Sequence, residues 1–205
     1  MESLNEYVKE YKTQLSKGNI QKAYRGIMTF MSGLKTDLKK NYPDYIVSSL
    51  YFGYMDMTYF AFTPSGLKDK KLKIAIVFLH EQGRFEAWLG GSNRKVQSEY
   101  IEKLKHKKIG NYKLSQVLPG VDSIIESIVV EQPDFNHPEE LKIQIEEELI
   151  DFINDVIYIL NEWDIKKKSF KKMNYDYLLD VSKLDIYYYY QETLTIKLDI
   201  KIKYF

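Results

Sequence analysis

The segment Leu72-Lys73-Ile74-Ala75-Ile76-Val77-Phe78-Leu79, followed by His80-Glu81-Gln82-Gly83 and Arg84-Phe85-Glu86-Ala87-Trp88-Leu89, decides the fold class. The first stretch is almost wholly apolar and rich in β-branched residues, so after Lys73 both faces of the strand should be covered and it belongs in the middle of a sheet. His80 to Gly83 reads as a hairpin turn. The return strand then alternates, with Phe85, Ala87 and Leu89 on one face and Arg84, Glu86 and Trp88 on the other. Upstream, Ile46, Val47, Tyr51, Phe52, Tyr54, Tyr59, Phe60 and Phe62 supply strand-forming side chains from Tyr45 onward, completing a three-stranded meander in which Gly53 marks a bulge or bend. Gly90-Gly91-Ser92-Asn93 is the exit turn.

Helical periodicity flanks this meander. Leu4, Tyr7, Val8, Tyr11 and Leu15 put an apolar stripe on a helix over 3–16, ended by Gly18. Asn19 is a suitable N-cap for a second helix, whose face is Ile20, Ala23, Ile27, Phe30, Met31, Leu34 and Leu38 and which Pro43 stops. A third helix follows Asn93 over 94–107, with Val96, Tyr100 and Leu104 inward. Residues 109–123 read as a loop or short turns, and 124–131 as a further strand through Ile128-Val129-Val130. Pro138, with Glu139 and Glu140 after it, opens a long amphipathic helix through Leu141, Ile145, Leu149, Phe152, Val156, Ile159 and Trp163. The expectation is an α+β domain over 1–165: a mainly antiparallel sheet, the meander plus one strand, packed by four helices. Beyond it, 166–205 reads as a Lys- and Tyr-rich linker from Lys166 to Lys172 and a short C-terminal β appendage that docks, pairs with another chain or stays loose.

Composition narrows the function classes. The 205 residues carry 30 Lys and Arg against 29 Asp and Glu, a net charge of +1, with 44% hydrophobic residues, as expected of a globular chain with a core. Zero cysteines remove disulfide frameworks, thiolate metal sites and cysteine nucleophiles. No apolar run reaches the roughly 18–20 residues of a membrane span, and the first residues lack the pattern of a secretory leader, so a cytoplasmic protein with no membrane partner is expected.

Gly53-Tyr54-Met55-Asp56-Met57-Thr58-Tyr59-Phe60, the run Lys73 to Phe78 with His80-Glu81, Arg84 to Leu89, and Pro133-Asp134-Phe135 together resemble a family of bacterial cytoplasmic proteins classed as a domain of unknown function. The resemblance runs from residue 1 to about 163; it implies a bacterial source and a single domain, and carries over no catalytic residue. The order helix, meander, helix, strand is also similar to the core of PD-(D/E)xK nucleases. That likeness implies metal-binding acids on the second and third strands and a lysine that polarises water. Here Glu86 stands on the third strand, but Trp88 occupies the lysine's place and Ile74 to Leu79 holds no acid.

Glu86 is either an ion-paired carboxylate on the second face of the sheet or a pocket acid with an aromatic wall at Trp88. Asp56, among Tyr54, Met55, Met57 and Tyr59, is a bend residue or a purposeful buried acid. Glu86, Trp88, Asp56, Tyr54 and Tyr59 form the candidate pocket, with Tyr51 as a further aromatic if its strand is adjacent. Ser92, Asn93, Arg94 and Lys95 place free amides and two cations at a helix start, a recipe for anion binding, although every capped turn shares it. His80, His106 and His137 lack metal-ligand spacing, so no metal site is assigned, and no motif names a cofactor or a nucleophilic elbow. Lysines at 68–73, 103–108 and 166–172 are a nucleic-acid surface only if they converge, and solvated faces otherwise. A non-catalytic binding protein with an aromatic pocket for a small molecule or another chain ranks first. A metal-dependent hydrolase using Glu86 and Asp56, a lysine-mediated nucleic-acid binder and a homodimer through the C-terminal strands stay open as alternatives.

Overall fold

The computed structural model describes residues 3–177. The chain divides into two compact units, Met1–Tyr158 and Ile159–Phe205, and the sheet lies wholly in the first. Among the described residues the order is α1 (Leu4–Ser16), α2 (Asn19–Asn41), β1 (Tyr45–Val47), β2 (Met57–Pro64), α3 (Ser65–Asp69), β3 (Leu72–Leu79), β4 (Arg84–Gly91), α4 (Arg94–Leu104), β5 (Lys113–Leu114), β6 (Ser123–Val130) and α5 (Pro138–Tyr177). The strands form one antiparallel sheet in the order β1-β2-β3-β4-β6-β5. This is the expected α+β class with β3 central. The meander gains a short edge strand on each side, and a fifth helix, α3, sits in a stretch read as extended.

The hairpin of β3 and β4 pairs without a break from Leu72 opposite Gly91 to Leu79 opposite Arg84. That register puts Ile74, Ile76 and Phe78 on one face with Leu89, Ala87 and Phe85 across from them, all buried. Helix α2 covers this face: the Phe30 ring lies 5.7 Å from Phe85 and 5.4 Å from Phe135, and Phe78 is 5.0 Å from Phe85. Met31, Leu34 and Leu38 continue the same buried stripe. α5 is locked beside α2 by Lys142 to Asp37 at 3.0 Å and by Asn41 donating to Glu146 at 3.1 Å, and its Leu141, Ile145, Leu149 and Phe152 are buried. Each such large side chain removed from water contributes roughly 1.5–3 kcal/mol.

Three local readings change. The cap of α2 is Gly18, at φ +75°, rather than Asn19, which is already the first helical residue. α1 carries the predicted apolar stripe and a capping box between Ser3 and Glu6, yet none of its residues is buried: Leu4, Tyr7, Val8 and Tyr11 all face solvent. Residues 166–172, read as the start of a linker, lie within α5. The short C-terminal β appendage expected after this linker, and the homodimer left open through its strands, fall outside the described residues. No helix among the described residues is long and apolar enough to cross a membrane.

Phe85 and Tyr7 therefore separate core from periphery. Phe85→Ala should lower the free energy of unfolding by about 3–5 kcal/mol, while Tyr7→Ala should stay within about 0.5 kcal/mol of the parent. Urea titrations would check both, and equal losses would contradict the placement of α1.

Candidate functional site

The other face of the sheet carries the candidate site. Alternation sends Tyr59, Lys73, Ala75, Val77, Glu86, Trp88 and Glu126 to it, and the register sets Tyr59 opposite Val77, Ala75 opposite Trp88 and Trp88 opposite Glu126. Tyr51, bridged in antiparallel fashion to Tyr59, adds a third ring, 4.9 Å from the Tyr59 ring. Between them is a concavity of about 120 Å³ lined by Tyr51, Met57, Tyr59, Lys73, Ala75, Val77, Trp88, Gly90, Asp122 and Ser123. The strands bring Tyr59 and Trp88 together as the sequence predicts, with Tyr51 beside them.

Glu86 is 4% exposed and stands under Trp88 as an ion-paired acid. Its Oε1 accepts from Arg84 Nε at 2.8 Å and Nη2 at 2.5 Å, and its Oε2 accepts from the Trp88 indole Nε1 at 2.6 Å. Both oxygens are thus committed within the protein, and the contact fixes the indole ring from its polar edge. Burial works against the Arg84 charge, but Glu86 and then Glu131 outweigh it and hold its pKa above the ordinary value.

Asp56 and Tyr54 are not part of the concavity. Asp56 is exposed in the turn before β2, where its Oδ1 accepts from the Tyr54 amide at 2.9 Å. Bonds from the Met57 and Tyr54 amides keep its carboxyl below its ordinary value. Tyr54 is 91% exposed. Gly53 explains the geometry: at φ +69° a side chain there would put its Cβ 1.9 Å from the Met57 carbonyl oxygen, so the turn folds back tightly and throws Tyr54 outward. β3 stands between this turn and the strand of Glu86, a separation of about 10 Å over two strand spacings. Among the described residues no three His, Asp or Glu side chains converge in a metal-holding group.

His80 fills the space beneath the same turn. Its ring stacks on Tyr24 at 5.7 Å and its Nε2 lies 2.9 Å from Thr58 Oγ1, which is itself 2.9 Å from the Phe52 carbonyl. A carbonyl can only accept, so the hydroxyl donates to Phe52 and Nε2–H donates to the hydroxyl. Burial pushes the His80 pKa below 6.5, against the pull of Asp56.

The proposed anion site is largely spoken for. Asn93 Oδ1 caps α4 by accepting from the Val96 amide at 3.0 Å, as predicted. Arg94 donates to Gln97, to the Leu118 carbonyl at 3.0 Å and to the Val121 carbonyl, and pairs with Asp122 at 3.5 Å. Gln97 Nε2 adds bonds to the carbonyls of Val121 and Ser123 at 2.8 and 2.9 Å. Ser92 and Lys95 remain exposed. These contacts fasten loop 118–122 to α4, and through it they set Asp122 and Ser123 on the rim of the concavity.

Residues the sequence reading passed over are Lys73, Gly90, Asp122 and Ser123. Lys73 was legible as the one charge in the alternation of β3, two and four residues before Ala75 and Val77. Asp122 and Ser123 were not, because a bulge between Leu89 and Gly90 and the Arg94 contacts bring them there. Ser123 Oγ donates to Glu126 at 2.6 Å, and Lys113 reaches the other carboxylate oxygen at 2.6 Å. Burial disfavours the Glu126 charge, yet Lys113, Ser123 and Ser115 outweigh it and keep the carboxyl below its ordinary value.

A family model described as "Domain of unknown function (DUF7000)" matches residues 4–160. The chain belongs to this family. The DUF7000 match takes in every strand of the sheet and every residue of the concavity, and agrees with the resemblance drawn from residues 1 to about 163. No curated protein and no solved structure shows significant similarity to this DUF7000 chain.

The neutral His80 makes stability depend on pH with a defined sign. Because the unfolded chain binds this proton more tightly than the native one, the contribution is complete above pH 6.5 and is lost as pH falls below that value toward the lower folded-state pKa. Urea midpoints measured from pH 7.5 to 5.5 should decline in the parent and flatten in His80→Gln; parallel curves would contradict this assignment.

Proposed function

We propose that this domain is a non-catalytic binding module whose ligand site is the concavity of Tyr51, Tyr59 and Trp88. The observation that carries the reading is the convergence of three aromatic side chains over an apolar floor of Ala75 and Val77, with Lys73 and Asp122 as polar groups at the rim. Sites for small ligands combine apolar walls with a few placed polar groups, and rings held from several strands lose little entropy when a partner stacks on them. A volume of about 120 Å³ suits one ring or one side chain rather than a nucleotide or an extended cofactor.

A binding role also fits the state of the titratable groups. Glu86 is spent on Arg84 and Trp88 and Glu126 on Lys113 and Ser123, while Asp56 lies outside the concavity in its own turn. A general acid or base needs an oxygen or nitrogen free to meet substrate. The broader groove between α4 and residues 114–117 is lined by Glu99, Glu102, Lys103 and Lys105 and supplies mixed exposed charge without aromatic walls. The bacterial cytoplasm as the setting belongs to the same reading and rests on composition and on the resemblance described above.

Single-ring compounds screened as a mixture against ¹⁵N-labelled full chain should shift the Trp88 indole and the Ala75 and Gly90 amides together. Tyr51→Ala, at a half-exposed outer wall, should weaken any such binder about tenfold with little change in thermal midpoint. Shifts confined to other regions, or none, would remove the concavity as a ligand site.

A further inference from the structure

Resting on that reading of the concavity, we propose that its ligand is a single-ring organic carboxylate, with the ring between Tyr59, Tyr51 and Trp88 and the anionic group on Lys73. The size limit comes first. An apolar cavity of about 150 Å³ accommodates one benzene ring, so about 120 Å³ open at the rim holds one ring with its substituent projecting outward. The floor of Ala75, Val77 and Gly90 is flat and small, and the aromatic walls offer ring faces rather than hydrogen-bonding edges.

Charge then selects among ring compounds. The other cations around this face are paired: Arg84 with Glu86 and Glu131, Arg94 with Asp122, and Lys113 with Glu126. Lys73 has no carboxylate partner among the described residues, although it lines the concavity. Its stem lies over Gly90, where a Cβ would sit 3.4 Å from Lys73 Cε and 3.2 Å from the Asp122 carbonyl oxygen. The absence of a side chain at Gly90 therefore leaves room for the lysine stem at the edge of the concavity. The one acid among the lining residues, Asp122, is paired with Arg94 at 3.5 Å, which leaves Lys73 as the lining charge with no partner among the described residues. A ring bearing an ammonium group would meet Lys73 unscreened, a neutral ring would gain stacking alone, and a carboxylate would gain a charge-assisted bond as well.

Titrations of the full chain with benzoate, benzyl alcohol and benzylamine, followed at the Trp88 indole N–H, test the charge preference. Benzoate should bind about tenfold tighter than benzyl alcohol, benzylamine should bind weakest, and the benzoate advantage should shrink as salt is raised. Lys73→Met should bring benzoate to the level of benzyl alcohol, and Lys73→Arg should keep the preference. Lys73 is exposed, so both variants should retain the parent thermal midpoint. Equal affinity for the three rings, or a benzoate advantage that survives Lys73→Met, would overturn the inference while leaving the ligand site standing. Silence of the Trp88 indole toward all three would overturn both.

Discussion

The unbroken eight-residue register between β3 and β4 is the constraint on which the rest depends. Side chains alternate along both strands, so a slip of one residue would send Ile74, Ile76, Phe85 and Leu89 to the open face and Lys73, Glu86 and Trp88 into the core. The helices enforce the register from one side, because Phe30 and the stripe of α2 accept only the apolar set. From the other side Arg84, Glu86 and Trp88, spaced by two, bond to one another and need the same alternation. Packing and polar satisfaction thus select one pairing, and the concavity is a by-product of that selection.

Glu86 links stability to the site. A buried carboxylate without partners would be costly, and here a guanidinium and an indole N–H satisfy it. The cost of burying it is offset by orientation: the indole is held at its nitrogen and its ring face stays available beside Ala75. Arg94 plays the corresponding part at the rim, tying loop 118–122 to α4 so that Asp122 and Ser123 need not be ordered by a ligand. Both supports come from contacts within the fold, which is what the proposed binding role requires of a site formed before its ligand arrives.

How far the sequence was legible follows from the range of each interaction. The β3–β4 hairpin, the cap at Asn93, the start at Pro138 and the apolar stripes are encoded within a few residues and could be read directly. The two edge strands could not, since β1 and β5 are three and two residues long and exist only because β2 and β6 offer them a partner. α1 shows the converse, a clear amphipathic pattern whose apolar side the fold leaves in water. The placement of Glu86, Trp88 and Tyr59 on one face of the sheet followed from alternation, although Glu86 itself does not line the concavity. Placing Tyr54 and Asp56 with them failed because Gly53, at positive φ, reverses the chain just before β2 and breaks the period on which the reading relied.

The same distinction of range bears on chemistry. Residue types able to catalyse are present on and near the open face, but their proton-transfer atoms are engaged by near neighbours: Glu86 by residues two positions away on either side, Asp56 by its own turn, and Glu126 by Ser123 three positions before it. Such local satisfaction stabilises the charged form of each group where it stands. What lines the concavity is brought together across strands: three rings from separate points along the chain and a lysine lying over Gly90. Paired acids beside open aromatic walls, with Lys73 lacking a carboxylate partner among the described residues, are the features on which the proposed binding role rests.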